Sequence, residues 1–403
     1  MPESTAITDP STTVAKPAAP TAATMGQILP QADGLKSLRL LHNPAVRLGA
    51  LVTAVAAIGL LASANDSLLS IANLGLIAAI AAIGLNLAMG STGILSMGHA
   101  VFVGFGAFTA AVLADFGVSF FVGALAGMAI ATVASLAIGP LALRLSGLYL
   151  AVGTIGIAYV GQHLFVNLRT LTGGGAGRLV ESPPIFGISM AQDSALAGRL
   201  ITSDMKWFIL LVILTLLLGT AVASLGRLRW GRAFRAVRDN ENSAAAAGIA
   251  VIQLKVTSFG MSAAIGGLAG ALLASYLRFL NPETFGLDQS LQYLAMIIIG
   301  GLGSVSGAII GALLITVLPT LLTEVSTSMG LVEQASGTSG SFNTGTLAIM
   351  SYGLIIVLVM TLAPQGISGG LSILAKSLTS RMRPTKNVQT SRPQNTPTKG
   401  QVP

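Results

Sequence analysis

The densest chemistry in this sequence lies between Trp230 and Ile249. Arg232, Arg235 and Arg238 fall three residues apart, so on a helix they line one side and drift slowly around it. Glu241 follows, then four alanines (244–247) and Gly248, a helix-forming run closed by a residue suited to a C-terminal stop. A short charged helix of this kind can dock in a groove of another protein. It can also hold the chain against anionic lipid by positive charge alone. A second candidate is His99, beside the glycine-rich run Gly90-Ser91-Thr92-Gly93. It either faces a solute path or bonds a carbonyl of a neighbouring helix. Catalytic machinery is not expected. The chain has no cysteine, hence no thiolate nucleophile or thiolate metal site. No Gly-Lys dipeptide occurs, so there is no phosphate-binding P-loop, and no His-Glu-x-x-His metal motif is present.

The elements that must position these residues are apolar. Of 403 residues, 53% are hydrophobic and only 9% charged, against roughly 25% in average soluble domains. Mean hydropathy is +0.79. This excludes an ordinary soluble enzyme, a disordered chain and a nucleic-acid binder, despite the net charge of +8. About twenty apolar residues span a bilayer. Such runs occur at 48–64, 68–89, 94–114, 118–143, 147–167, 207–226, 256–279, 290–302, 304–321 and 345–363. The expected fold is an all-α polytopic membrane protein of about ten transmembrane segments. Two pairs of runs abut at glycine-rich junctions, Gly90–Gly93 and Gly300-Gly301-Leu302-Gly303-Ser304, which read as broken helices. The order span, break, span at 68–114 and again at 290–321 hints at an internal repeat. The apolar runs contain almost no ionisable residues beyond His99, His163 and Asp115. Carriers coupled to protons or sodium usually hold such groups inside the membrane. A chain without them can borrow its energy from a partner.

Three regions divide the chain. Residues 1–46 read as a disordered cytoplasmic tail, residues 47–369 as the membrane domain, and residues 370–403 as a basic cytoplasmic tail. Orientation follows the Lys/Arg bias. Lys36, Arg39 and Arg47 precede the first run, Arg144 falls between the fourth and fifth, and the segment 227–255 holds five arginines and Lys255. These sites should be cytoplasmic, and both termini with them. The loops 168–206 and 322–344 should be external. In the first of them, Leu171–Gly177 is either a tight turn that lets something approach closely or a flexible loop. Gly266-x-x-x-Gly270 and Gly303-x-x-x-Gly307-x-x-x-Gly311 read as helix-packing stripes, with a subunit interface as the alternative.

With these residues in place, the chain resembles the permease subunits of branched-chain amino acid ABC importers, of the M type, from about 70 to 370. Four blocks carry the resemblance: Gly84–Gly98, Leu145–Gly156, Leu171–Gly177, and Trp230–Gly248 with the downstream Ser262–Ala271. Their order and spacing are more specific than any block alone. The resemblance implies an ABC importer permease fold in a bacterial inner membrane. It implies an assembly of two permeases (the second a different, H-type chain), two cytoplasmic ATPases and an external solute-binding protein. The chain itself would be no enzyme and would hold no cofactor, ATP being bound by the partner subunits. Contact with the ATPase is expected around Arg235, Arg238, Glu241, Ala244, Ala245 and Gly248. The match there is loose, since Asn242 and Ser243 separate Glu241 from Ala244. Gly90, Gly93, His99, Gly300, Gly301 and Gly303 are expected to line or gate the path. Leucine, isoleucine and valine are the expected solutes. Urea, short amides or other amino acids are the alternative cargo, and a stand-alone secondary transporter the alternative mechanism.

Overall fold

The computed structural model describes residues 66–142, 147–182, 184–185, 187, 189–196 and 199–328. The tails, the runs at 48–64 and 345–363, and most of 322–344 lie outside these residues. Each of the other eight apolar runs forms a helix. In lipid, a helix satisfies every backbone N–H and C=O within its own segment, so the apolar runs have little choice. The helices are α1 (Asp66–Thr92), α2 (His99–Asp115), α3 (Phe120–Ala142), α4 (Leu148–Asn167) and α5 (Ser203–Leu225). Two short helices follow, α6 (Arg229–Asp239) and α7 (Glu241–Ala246). The chain then returns through α8 (Val251–Leu277), α9 (Leu287–Gly300) and α10 (Val305–Ser328). Five of them, α1, α3, α4, α5 and α8, are long and apolar enough to cross a membrane.

The centre of the bundle is α1 and α8. Their apolar windows are 67% and 72% buried, against 22% for α5. A helix apolar all round belongs in a core or in lipid, and this chain uses both places. The peripheral helices turn Phe121, Val133, Tyr149, Val160 and Leu217 outward, a surface suited to lipid or to another membrane subunit. Close approach in the centre depends on missing side chains. A Cβ added to Gly106 of α2 would stand 2.0 Å from the carbonyl oxygen of Gly267 on α8. One added to Gly270 would stand 1.9 Å from that of Val103. Gly300 against Gly307 and Gly311 against Met296 join α9 to α10 in the same way. Both small-residue stripes therefore meet neighbours inside this chain.

The two breaks differ in form. Residues 301–304 make a tight turn, with Gly301 and Gly303 at φ 113° and 81°. Residues 93–98 run without helical structure into the bundle. The Met97 N–H donates to Thr154 Oγ1 of α4 (2.9 Å), and α2 then begins beside Ala81. Ala81 lies eleven residues along α1 from Thr92, which is about 16 Å of helix. So α2 starts deep in the bundle, and its Ala100 N–H is satisfied by Ser290 Oγ of α9 at 3.1 Å.

At the end of the bundle away from α6 and α7, described residues between 168 and 202 are held by contacts with the spans. Leu171–Gly177 is a tight turn, not a loose loop, with Gly173, Gly174 and Gly177 at positive φ. Gly177 packs under the Phe279 ring, where a Cβ would meet ring carbon at 2.6 Å. Strand β1 (Arg178–Leu179) pairs antiparallel with residues Phe279–Leu280, and Ser194–Leu196 with Arg199–Ile201. Arg178 forms an ion pair with Asp115. Asn73 Nδ2 donates to the Asp204 carbonyl (3.0 Å) and Tyr276 OH to Asp204 Oδ1 (2.8 Å), which joins α1, α5 and α8.

Candidate functional site

Helix α6 has a buried side repeating every three residues, at Gly231, Phe234 and Val237. Phe234 and Val237 form a small core with Ala244 of α7 and Leu254 of α8. The arginines lie beside this buried stripe and their guanidiniums reach back to the spans. Arg235 Nη1 donates to the Gly226 carbonyl at the end of α5 (2.8 Å), and Arg232 Nη1 to that of Arg227 (3.2 Å). Arg238 Nη1 donates to the Gly90 carbonyl in the last turn of α1. The last carbonyls of a helix have no intrahelical partner and carry partial negative charge, so a cation there is stabilising. Arg235 and Arg238 thus cap two different transmembrane helices from one short helix.

Arg238 also stands where the two breaks meet. The Gly303 N–H donates to Asn86 Oδ1 of α1 (2.8 Å). A Cβ on Gly90 would lie 2.6 Å from Gly303 N, and one on Gly303 would lie 3.1 Å from Arg238 Nη1. Gly93, at φ 75°, packs on the Arg238 stem. The junctions Gly90–Gly93 and Gly300–Gly303, far apart in sequence, therefore touch each other and the arginine of α6. Beside them opens a cleft of about 380 Å³ walled by Asn86, Ser91, Arg227, Arg235, Arg238 and Ser306. No acid is among its lining residues.

Helix α7 begins at Asn240, whose side chain accepts from the Ser243 N–H at 2.9 Å. It ends as its sequence suggests, with Gly248 at φ 81° and its N–H on the Ala245 carbonyl (3.0 Å). Ala244 is buried, whereas Glu241, Ala245 and Gly248 are exposed. Glu241 Oε1 pairs with Lys255 Nζ of α8 at 2.6 Å, and Lys255 is only 6% exposed. The sequence placed Lys255 among the basic residues of the segment but not its partner. A charge near the start of a mostly apolar helix was the available signal. Asn86 was missed in the same way.

His99 is buried. Its Nε2 bonds the Ala81 carbonyl at 3.1 Å, which requires the proton on Nε2 because a carbonyl only accepts. The ring packs on Gly266 and stands edge-on to Tyr293, with centroids 5.9 Å apart. It ties α1, α2, α8 and α9 together. Tyr293 itself faces an open, mostly apolar cavity of about 280 Å³ with Ile77, Leu273, Gln292, Met296 and Ile315. No group of three or more His, Asp or Glu side chains among the described residues can hold a metal ion.

A bundle of apolar helices, two interruptions, and a basic amphipathic element fastened beside them suit one class: a multi-pass membrane permease. Residues 67–363 match the family described as branched-chain amino acid transport system / permease component, and the chain belongs to that family. It is 30% identical over 311 residues to the high-affinity branched-chain amino acid transport system permease protein LivM of Escherichia coli K12, covering 74% of this chain and 69% of that protein. The LivM protein of Salmonella typhimurium is equally similar, 30% over 312 residues with the same coverage of both chains. The autoinducer 2 import system permease protein LsrC of Yersinia enterocolitica is 29% identical over 186 residues, 45% of this chain and 46% of that protein. No solved structure matches the chain. The chain is thus a multi-pass inner-membrane permease component of an ABC importer and not itself an enzyme.

Proposed function

We propose that the chain forms half of the translocation path of an ATP-driven importer of leucine, isoleucine and valine. The second permease is a different, H-type chain, two cytoplasmic ATPases bind the ATP, and an external binding protein delivers the solute. The face bearing α6 and α7 is cytoplasmic, with both termini, and the segment 168–206 is external. The observation that carries this reading is the attachment of α6 to both breaks through Arg238. The exposed residues Glu241, Ala245 and Gly248 meet the ATPase. When the ATPases close, α6 and α7 move as a unit around the Phe234–Ala244 core. Arg235 and Arg238 draw on the ends of α5 and α1, and the Glu241–Lys255 pair draws on α8. The junction at Gly90 and Gly303 then opens or shuts the cytoplasmic end of the path. Interior packing is bistable and not continuously deformable, so a small shift at one end can become a switch. The weakly charged interior suits an aliphatic solute handed over by a binding protein.

The test is labelled-leucine uptake in cells lacking this chain, with and without it restored, competed by valine, isoleucine, urea and short amides. Restored uptake blocked by valine and isoleucine supports the reading. Restored urea or amide uptake without leucine uptake keeps the importer and replaces the solute. Solute movement by the purified chain alone in liposomes without ATP overturns the coupling.

A further inference from the structure

The end of the bundle away from α6 holds another cavity, of about 290 Å³, walled by Ser182, Met190, Asp204, Trp207, Tyr276 and Arg278. Two opposite charges share its wall without pairing. Asp204 uses Oδ1 to accept from Tyr276 OH (2.8 Å) and, weakly, from Asn73 Nδ2 (3.5 Å). No described cation lies within ion-pair distance of its carboxylate. The Arg278 side chain is exposed at the cavity mouth and makes neither a hydrogen bond nor an ion pair with a described residue, while Asp204 is half-buried. One buried polar atom of the wall is also without a partner, Ser182 Oγ, as is Oδ1 of Asn73, whose Nδ2 bonds Asp204. Buried polar atoms nearly always find a partner, so an orphan calls for one that is absent. The backbone of Arg278 adds an independent sign. At φ 57° it is the one described residue other than glycine in the left-handed region. The place is a helix end, where glycine or asparagine is usual. Strain of this kind at a cavity wall points to function.

We propose that this cavity is an amino-acid subsite at the external mouth of the path. Asp204 receives the α-ammonium group, Arg278 the α-carboxylate, and Trp207 and Met190 the aliphatic side chain. The proposal rests on the reading of the chain as an amino-acid permease. A free amino acid is the small solute that carries both charges a few ångströms apart. Small-molecule pockets run from roughly 300 to 1,000 Å³, so this one takes a single small solute and not a peptide. Trp207 is buried and stands edge-on to Tyr276 with centroids 5.7 Å apart, which gives the cavity a rigid apolar wall. Charges presented separately by α5 and α8 also make the site sensitive to any relative movement of those helices.

The experiment uses the complete transporter in lipid nanodiscs without its binding protein and measures equilibrium binding of labelled leucine. Competitors are leucinamide, which lacks the carboxylate, and isocaproate, which lacks the ammonium. The expected parent discriminates against both analogues. Arg278→Gln should bind leucine about tenfold or more weakly and treat leucine and leucinamide alike. Asp204→Asn, which keeps an acceptor for Tyr276, should weaken leucine similarly and treat leucine and isocaproate alike. Arg278→Lys should recover part of the affinity, which a purely structural role would not predict. Unchanged leucine affinity in both variants, equal losses for all three compounds, or no leucine binding by the parent overturns the subsite. Leucine uptake by parent cells is measured alongside. Uptake that persists while the subsite fails leaves the importer reading intact. Absence of uptake removes that reading and this inference together.

Discussion

Arg238 joins three elements through one guanidinium, and the consequences of removing it are specific. Arg238→Gln leaves the Gly90 carbonyl without its cation while the Phe234–Val237 stripe stays in place. Losing a hydrogen bond from a charged donor costs about 1.5–3 kcal/mol. The expected outcome is a folded transporter whose ATP hydrolysis continues while solute uptake per ATP falls severalfold, read in proteoliposomes with the partner subunits. Arg238→Lys, a point charge without the planar fork, should be intermediate. Gly248 makes a different residue-scale case. A Cβ there would meet nothing within 4 Å, so only its φ of 81° demands glycine. Gly248→Asn should therefore be nearly neutral and Gly248→Val should lose coupling, with uptake at matched protein level as the readout. If both variants behave alike, the turn is not what orients the exposed face of α7.

Pairs of helices respond differently according to how closely they pack. The Glu241–Lys255 pair ties α7 to α8 with one partner buried and the other half exposed. Glu241→Gln leaves a buried ammonium with a weaker acceptor, and solvent at Glu241 limits the cost to about 1–2 kcal/mol. Glu241→Lys sets two cations together and should cost more. Thermal unfolding in detergent should rank parent, Gln, Lys in falling order, with α7 losing hydrogen-exchange protection first. In the interior, Gly270→Ala would place a methyl 1.9 Å from a carbonyl oxygen of α2. Backbone must move, at about 1–3 kcal/mol or more. Gly156→Ala on α4 would meet nothing within 4 Å and should be tolerated. Folded yield after solubilisation separates the two, and equal yields would contradict the packing of α2 on α8.

As a whole, the molecule is a permease with its basic amphipathic helix α6 at one end of the bundle and the cavity holding Asp204 and Arg278 at the other. The purified chain should hydrolyse no ATP, and hydrolysis should appear only with the ATPases added. Much of this was legible in the sequence. All eight apolar runs within the described residues form helices, five of them long enough to cross a membrane, because hydrocarbon admits few structures other than helices. Two interruptions were recognisable because glycine and serine are poor helix residues and good turn residues. The second falls where expected, at 301–304, whereas the first begins only at Gly93 and runs to residue 98, since α1 continues through Gly90, Ser91 and Thr92. The alanine run ending in Gly248 was recognisable as a capped helix for the same local reasons.

What local rules cannot reach is which separated residues meet. The sequence by itself determined the membrane class, the helices, the two interruptions and the basic amphipathic element between α5 and α8, since each follows from hydropathy, charge or turn chemistry within a short window. Only the tertiary structure decided that the arginines cap helix ends, that His99 ties helices together deep in the bundle, and that Lys255 takes Glu241. The same is true of Gly90 against Gly303 and of the unpaired Asp204 and Arg278 on one cavity wall. These contacts join residues far apart in the chain, and no periodicity encodes them. They arise because glycine-lined helices pack at backbone distance, which brings polar groups from distant parts of the chain together.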